Sequence, residues 1–240
     1  MSSTAERSAE RRTPLTRDRV LQTAVDLADS AGIDALTIRR LADQLGVEPM
    51  SLYYHVPNKE AILDGIVELV FGEIEEATGG FEVPATDAAW QTSLRARILA
   101  ARRVMLRHPW APGVMDTRSG LGITTARYVD SIVGTLRSGR LSYDLIHHSM
   151  HALGSRMFGF SQELGEEDGD SGDSDALAQM AALVPHLAEM LSVVRHDDPG
   201  STLGWCDDQF EFEFGLDIVL DGLERASRRE SMRESIRDPE

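Results

Sequence analysis

TIRRLADQLGVEPMSLYYHVPNK, residues 37–59, is the stretch whose reading decides the fold. Ile38, Leu41, Ala42 and Leu45 recur at helical spacing, and Gly46 breaks the helix they predict from Thr37 to Leu45. Pro49 then sits where proline fits best, in the first turn of a second helix, predicted from Pro49 to about His55. Two short helices joined by a glycine-containing turn make a helix-turn-helix. Ala42 is small where the two approach, and Leu41, Leu45, Val47 and Leu52 pin them together. One side of the second helix is left free: Pro49, Met50, Ser51, Tyr53, Tyr54 and His55. Two tyrosines and a histidine on so short a helix make a poor core and a good surface for phosphates and base edges. The competing reading packs both tyrosines inside a helical hairpin unrelated to DNA, and Tyr53 is partly packed in either case.

Working outward, Thr16 is positioned to cap a helix carrying Val20, Leu21, Ala24, Val25, Leu27 and Ala28, with Gly32 as its stop. Pro57 interrupts the chain after the motif. Asn58 can cap a helix from Lys59 to about Thr78, with Ile62, Leu63, Ile66, Val67, Val70 and Phe71 recurring along it. Residues 1–13 are polar and aperiodic, a predicted disordered arm whose Arg11 and Arg12 are placed to reach a groove or a phosphate. Beyond Gly79, Gly80 and Pro84, helices are predicted over 86–107, 122–138, 143–164, 175–193 and 207–226, with Pro109, Pro112, Gly113 and Gly139 among the punctuation. Phe210 to Phe214 alternates as a strand would, but its continuation through Ile218 and Val219 favours a helix. Residues 227–240 are charged and are predicted to fray as a flexible tail. The chain is therefore expected to be all-α.

The formal charge is −16 at pH 7, which taken globally argues against a nucleic-acid partner. Its distribution removes the objection. Residues 1–60 hold eight basic side chains against nine acidic, so nearly the whole excess lies beyond them. An acidic body beside a near-neutral head permits DNA contact. One cysteine, Cys206, excludes an intrachain disulfide and fits a reducing cytoplasm. No apolar run reaches a membrane span, and the polar start of the chain does not read as a signal peptide.

From its Gly-Val turn through Ser-Leu-Tyr-Tyr-His to Asn-Lys-Glu-Ala-Ile-Leu-Asp, the chain resembles the TetR family of repressors. The resemblance covers about residues 16–70 closely. Further on it is to the tetracycline repressor subgroup, through Thr117-Arg118, the run Tyr143 to Leu164 and a last helix with an apolar stripe. It implies a three-helix DNA-binding domain over 14–60 and a helical ligand-binding and dimerisation domain over 61–226. It implies phosphate contacts for Thr37 and Lys59 from helix N-termini and a base contact for Arg39. Pro49, Met50 and Ser51 would face base edges, while Tyr53, Tyr54 and His55 hold the backbone. The implied partners are palindromic operator DNA, a second copy of the chain and a small-molecule effector, with no membrane and no cofactor. Effector binding would shift the 59–78 helix, change the separation of two heads and release DNA.

Dimer contacts are expected from the helices at 143–164 and 207–226, through Leu145, Ile146, Leu153, Met157, Phe158, Phe160, Phe210, Phe214, Ile218 and Leu223. Candidate effector contacts are Trp90, Met105, Trp110, Met115, Tyr128, His147, His151 and Phe158. Tetracycline repressors hold a drug–magnesium complex with a histidine ahead of their Thr-Arg pair. Here Val114, Met115 and Asp116 precede Thr117, which argues against tetracycline.

Other signals carry less. Gly169-Asp-Ser-Gly172 matches a protease nucleophile signature inside an acidic low-complexity loop, without a base or oxyanion hole. Asp168, Asp170, Asp173 and Asp175 in that loop lack EF-hand spacing. His147 and His151 stand one turn apart, as two metal ligands can, but no further ligand is evident and no metal is assigned. With no assembled catalytic set, an enzyme is not expected. A helical ligand-binding scaffold with a vestigial reading head is the alternative from another class.

Overall fold

In the computed structural model, residues 14–80, 82–83, 89–118, 120–159, 183–186, 188–189 and 208–237 are described. Among them there are helices and turns but no strands. The chain divides into two compact units, 1–139 and 140–240.

The first unit opens with α1 (Arg17–Ala31), a 3-10 turn (Ile33–Ala35), α2 (Ile38–Leu45) and α3 (Pro49–Leu52). Thr16 caps α1 by accepting from the Arg19 amide at 3.2 Å, and Thr37 caps α2 by accepting from the Arg40 amide at 3.2 Å. The six apolar residues expected on α1 are all buried. Gly46 ends α2 in the left-handed region at φ 67°, its amide donating back to Ala42 and Asp43, as in glycine-terminated helices. Leu41, Ala42, Leu45, Leu52 and Val56 are buried between the helices; Val47 is half-buried and Ile38 is turned partly to solvent. The α-helical geometry of α3 stops at Leu52, short of the expected His55. The Val56-Pro57 junction disfavours helix ahead of it, so residues 53–55 close the segment as a turn, with the His55 and Val56 amides both donating to the Leu52 carbonyl at 2.9 Å.

Asn58 caps α4 (Lys59–Ala77), accepting from the Ala61 amide at 2.7 Å. Ile62, Ile66, Val67, Val70, Phe71 and Ile74 are buried along α4. Gly65 brings it close to α1: a Cβ there would stand 2.6 Å from a Leu21 methyl. Then follow α5 (Trp90–Arg107), α6 (Ala111–Asp116) and α7 (Ile123–Ser138). The start of α5 at Trp90 falls later than the expected 86, and residues 84–88 lie outside the described ones. Helix α6 corrects the reading of Pro109, Pro112 and Gly113 as a simple turn: Pro112 occupies the first turn of a helix, where its lost amide costs nothing.

The second unit contains α8 (Tyr143–Gly159) and α9 (Asp208–Arg237). They pack through Arg156, whose guanidinium lies 5.3 Å over the Phe212 ring and donates to the Glu211 carbonyl. Gly215 leaves room for it, since a Cβ there would come within 2.6 Å of the guanidinium carbon. Phe212, Leu216, Leu220 and Leu223 are buried on α9, whereas Phe210, Phe214 and Ile218 form an exposed apolar row. Helix α9 continues past Ala226 to Arg237, correcting the expected stop. No glycine or proline falls between Ala226 and Arg237, and Arg228 pairs with Glu224 one turn back. The arm at 1–13, residues 160–164 of the expected 143–164 helix, most of the helix expected over 175–193, the acidic loop with Asp168 and Asp175, Phe160 and Cys206 lie outside the described residues. No helix of the described residues is long and apolar enough to cross a membrane.

Candidate nucleic-acid interface and its link to the body

The free side of the head is built as its packing requires. With Leu52 at 0% exposure as the inward anchor of α3, its neighbours are forced outward. Met50 is 70% exposed, Tyr53 42% and Tyr54 89%. Pro49, Ser51 and His55 are half-buried. Thr37 and Arg39, at the start of α2, and Lys59, at the start of α4, are exposed. All nine residues expected to meet DNA therefore lie between Thr37 and the first residue of α4, and each is at least partly accessible. Thr37 already accepts one backbone amide, so what it can offer a phosphate is its hydroxyl proton. The α2 and α4 N-termini, Arg39 and Lys59 supply positive potential, while Tyr53 and Tyr54 supply rings with a donor at the tip.

The candidate effector contacts are spread over both units. Trp90, Met105, Trp110 and Tyr128 are buried within the first unit. Trp90 lies against Gly139, where a Cβ would approach its ring to 2.6 Å. Tyr128 packs against Phe71 with ring centroids 5.4 Å apart and the planes tilted by 50°, and burial pushes its phenol pKa up. Met115 alone of the set lines a cleft of about 600 Å³, with Glu60, Asp64, Val67, Glu68, Arg118, Leu121 and Thr125 among its other walls. His147 and His151 are exposed on α8, their rings 4.8 Å apart. No group of three or more metal-binding side chains assembles among the described residues. The Phe158 side chain lies outside the described ones.

Sequence reasoning missed how α4 is held. Five of its six carboxylates meet a donor from α5, α7 or the turns between the helices. Glu60 pairs with Arg118, and Asp64 lies 3.5 Å from the same guanidinium. Glu68 accepts from the Thr124 amide at 2.7 Å, the Thr125 amide at 3.1 Å and the Thr125 hydroxyl at 2.7 Å. Glu73 accepts from Arg107 at 2.6 Å and lies 3.3 Å from His108 Nε2. Glu75 pairs with Arg127. From α1, Asp29 accepts from Trp110 Nε1 at 2.6 Å and lies 2.9 Å from His108 Nδ1. Burial raises the cost of charge on Glu68 and Glu73. Donors from Thr125 and Thr124 outweigh it for Glu68, and donors from Arg107 and His108 outweigh it for Glu73, so both carboxyls sit below their ordinary pKa. A visible signal was available: Glu60, Asp64 and Glu68 recur every fourth residue on a helix whose other face is apolar.

Comparison with known proteins identifies the family. Residues 20–66 match the family described as bacterial regulatory proteins, tetR family, and residues 83–227 match the tetracyclin repressor-like C-terminal domain. The HTH-type transcriptional repressor DrrR1 of Streptomyces coeruleorubidus is 31% identical over 88% of this chain and 77% of its own. Apo ActR from Streptomyces coelicolor superposes with a TM-score of 0.70 at 26% identity, over 91% of this chain and 99% of its own. ActR in complex with actinorhodin gives 0.67 at 27% identity, over 88% and 96%. The chain belongs to the tetR family of bacterial regulatory proteins and is a ligand-responsive transcriptional repressor.

Proposed function

We propose that the chain acts in the cytoplasm as a homodimer, each copy laying α3 in the major groove of one half of a palindromic operator. The single observation that carries this reading is the exposed row of Met50, Tyr53 and Tyr54 around a fully buried Leu52, flanked by Lys59 and Arg39. Tyr53, Tyr54, His55, Thr37 and Lys59 set the register on phosphates, and Arg39, Pro49, Met50 and Ser51 read base edges. Residues 14–60 are the reading domain and 61–226 the effector-binding and dimerisation domain. The second copy is seated on α8 and α9, where Phe210, Phe214 and Ile218 offer an exposed apolar row. One head alone binds weakly, and a two-fold pair is what a palindrome requires.

The effector is a small molecule that shifts α4 and releases DNA. ActR, a relative of similar length, is known with actinorhodin bound, and that supports an aromatic natural product as the class to screen first. Val114, Met115 and Asp116 ahead of Thr117-Arg118 support a ligand other than tetracycline. Mobility shifts with the DNA upstream of the protein's own coding sequence, against scrambled competitor, test the reading. Specific retardation that an aromatic effector reverses is the expected result. Retardation that scrambled DNA competes away equally would remove the operator reading and leave the scaffold alternative.

A further inference from the structure

Helix α7 has no cap of its own. It opens on Gly122, which has no side chain, and its Thr124 and Thr125 amides donate to Glu68 of α4 instead. These second and third amides are the ones an N-cap side chain ordinarily satisfies. Gly122 has φ −68° and ψ 167°, a conformation open to any residue, so the backbone does not require glycine there. The Glu68 carboxylate takes the space instead: a Cβ on Gly122 would stand 2.1 Å from its Oε1 and 2.2 Å from its carboxyl carbon, so the carboxylate would have to swing away. The missing side chain and the incoming carboxylate explain each other.

We propose that Glu68 is a positioning residue for operator binding, capping α7 from α4 and thereby fixing α4, with Lys59 and α3 at its head, against α5 to α7. This deepens the operator reading and rests on it. Glu60 and Asp64, two turns and one turn earlier on α4, hold Arg118 of the α6–α7 connection and extend the tie toward the head. Most of the apolar contacts of α4 are buried, and shifting them exposes surface. A carboxylate–amide tie is different, because water or a ligand group can replace either partner at small net cost. The cleft is placed to use that property: Glu68, Gly122 and Thr125 form part of its wall, so a molecule entering it meets the tie directly.

The decisive comparison is between two variants of the full chain. Glu68→Ala removes both the cap and the tie. Adding Gly122→Asp returns a carboxylate to the α7 N-cap from within the chain's own turn, but leaves α4 untied. Glu68→Ala is expected to lower Tm, to open the Thr124 and Thr125 amides to hydrogen exchange, and to weaken specific operator binding about tenfold with non-specific DNA binding unchanged. The double variant is expected to recover Tm and amide protection but not operator affinity. Recovery of operator affinity as well would make Glu68 a cap and nothing more, and would overturn the proposal. Unchanged exchange at both amides in Glu68→Ala would also overturn it, without any DNA in the experiment. Wild-type binding is measured first. Its absence overturns the operator reading and this role together, while specific binding that survives both variants overturns this role alone.

Discussion

Tyr54 and Leu52 are two residues apart and carry opposite duties. Tyr54 is 89% exposed and Leu52 is 0% exposed, so one can be altered at the surface and the other only through the core. Tyr54→Ala and Lys59→Ala should each weaken operator binding, and Lys59→Ala should also lower the salt slope by about one. Neither should change stability by more than about 0.5 kcal/mol or alter dimerisation, which thermal melts and sedimentation check. Leu52→Ala should cost roughly 2–5 kcal/mol and abolish binding by loosening the head, seen as a lowered Tm. Which of these side chains turn inward and which outward was legible because α2 and α3 are short and their apolar spacing leaves little choice of face. The candidate effector contacts were less legible. Large residues such as Trp90 and Tyr128 mark burial, and sequence alone does not separate a core side chain from a pocket wall.

Helix boundaries were readable wherever the stop or start signal is local. Thr16, Thr37 and Asn58 cap within three residues of themselves, and Gly46 takes the left-handed turn at φ 67°. With nothing within 4 Å of a Cβ at Gly46, Gly46→Ala tests conformation alone; it should cost about 1–2 kcal/mol in a denaturant melt. Helix α6 was overlooked because proline and glycine read as punctuation, although Pro112 is where a helix tolerates proline. The cap on α7 was invisible for a deeper reason: its acceptor is 56 residues from the Thr124 amide, so no local window contains both. The α4 carboxylates also set a pH response. Glu68 and Glu73 are held below their ordinary value of 4.5 in the folded chain. Their contribution is therefore fully present above about pH 4.5 and is lost as pH falls through the lowered folded value. Replacing both by Gln should flatten part of the fall in Tm below that pH, measured by calorimetry across a pH series.

For the whole molecule, nearly all of the charge of −16 lies in the body, which leaves a near-neutral head. The all-helical class followed from composition and periodicity, and the family resemblance from the motif between Thr37 and Lys59. Which apolar row of α9 faces outward was not legible, because a buried row and an exposed row on one helix have the same spacing. On α9, Phe212, Leu216 and Leu220 turn inward while Phe210, Phe214 and Ile218 remain exposed. Phe214→Arg should therefore leave the fold intact, shift the chain toward monomer in sedimentation, and weaken operator binding through loss of the second head. Hydroxyl-radical footprinting on an operator fragment tests the central claim most directly. Two protected patches related by a dyad and centred about 10 base pairs apart, or a multiple of that turn, are predicted. A single unpaired patch, or protection without regard to sequence, would contradict a dimer reading a palindrome through α3.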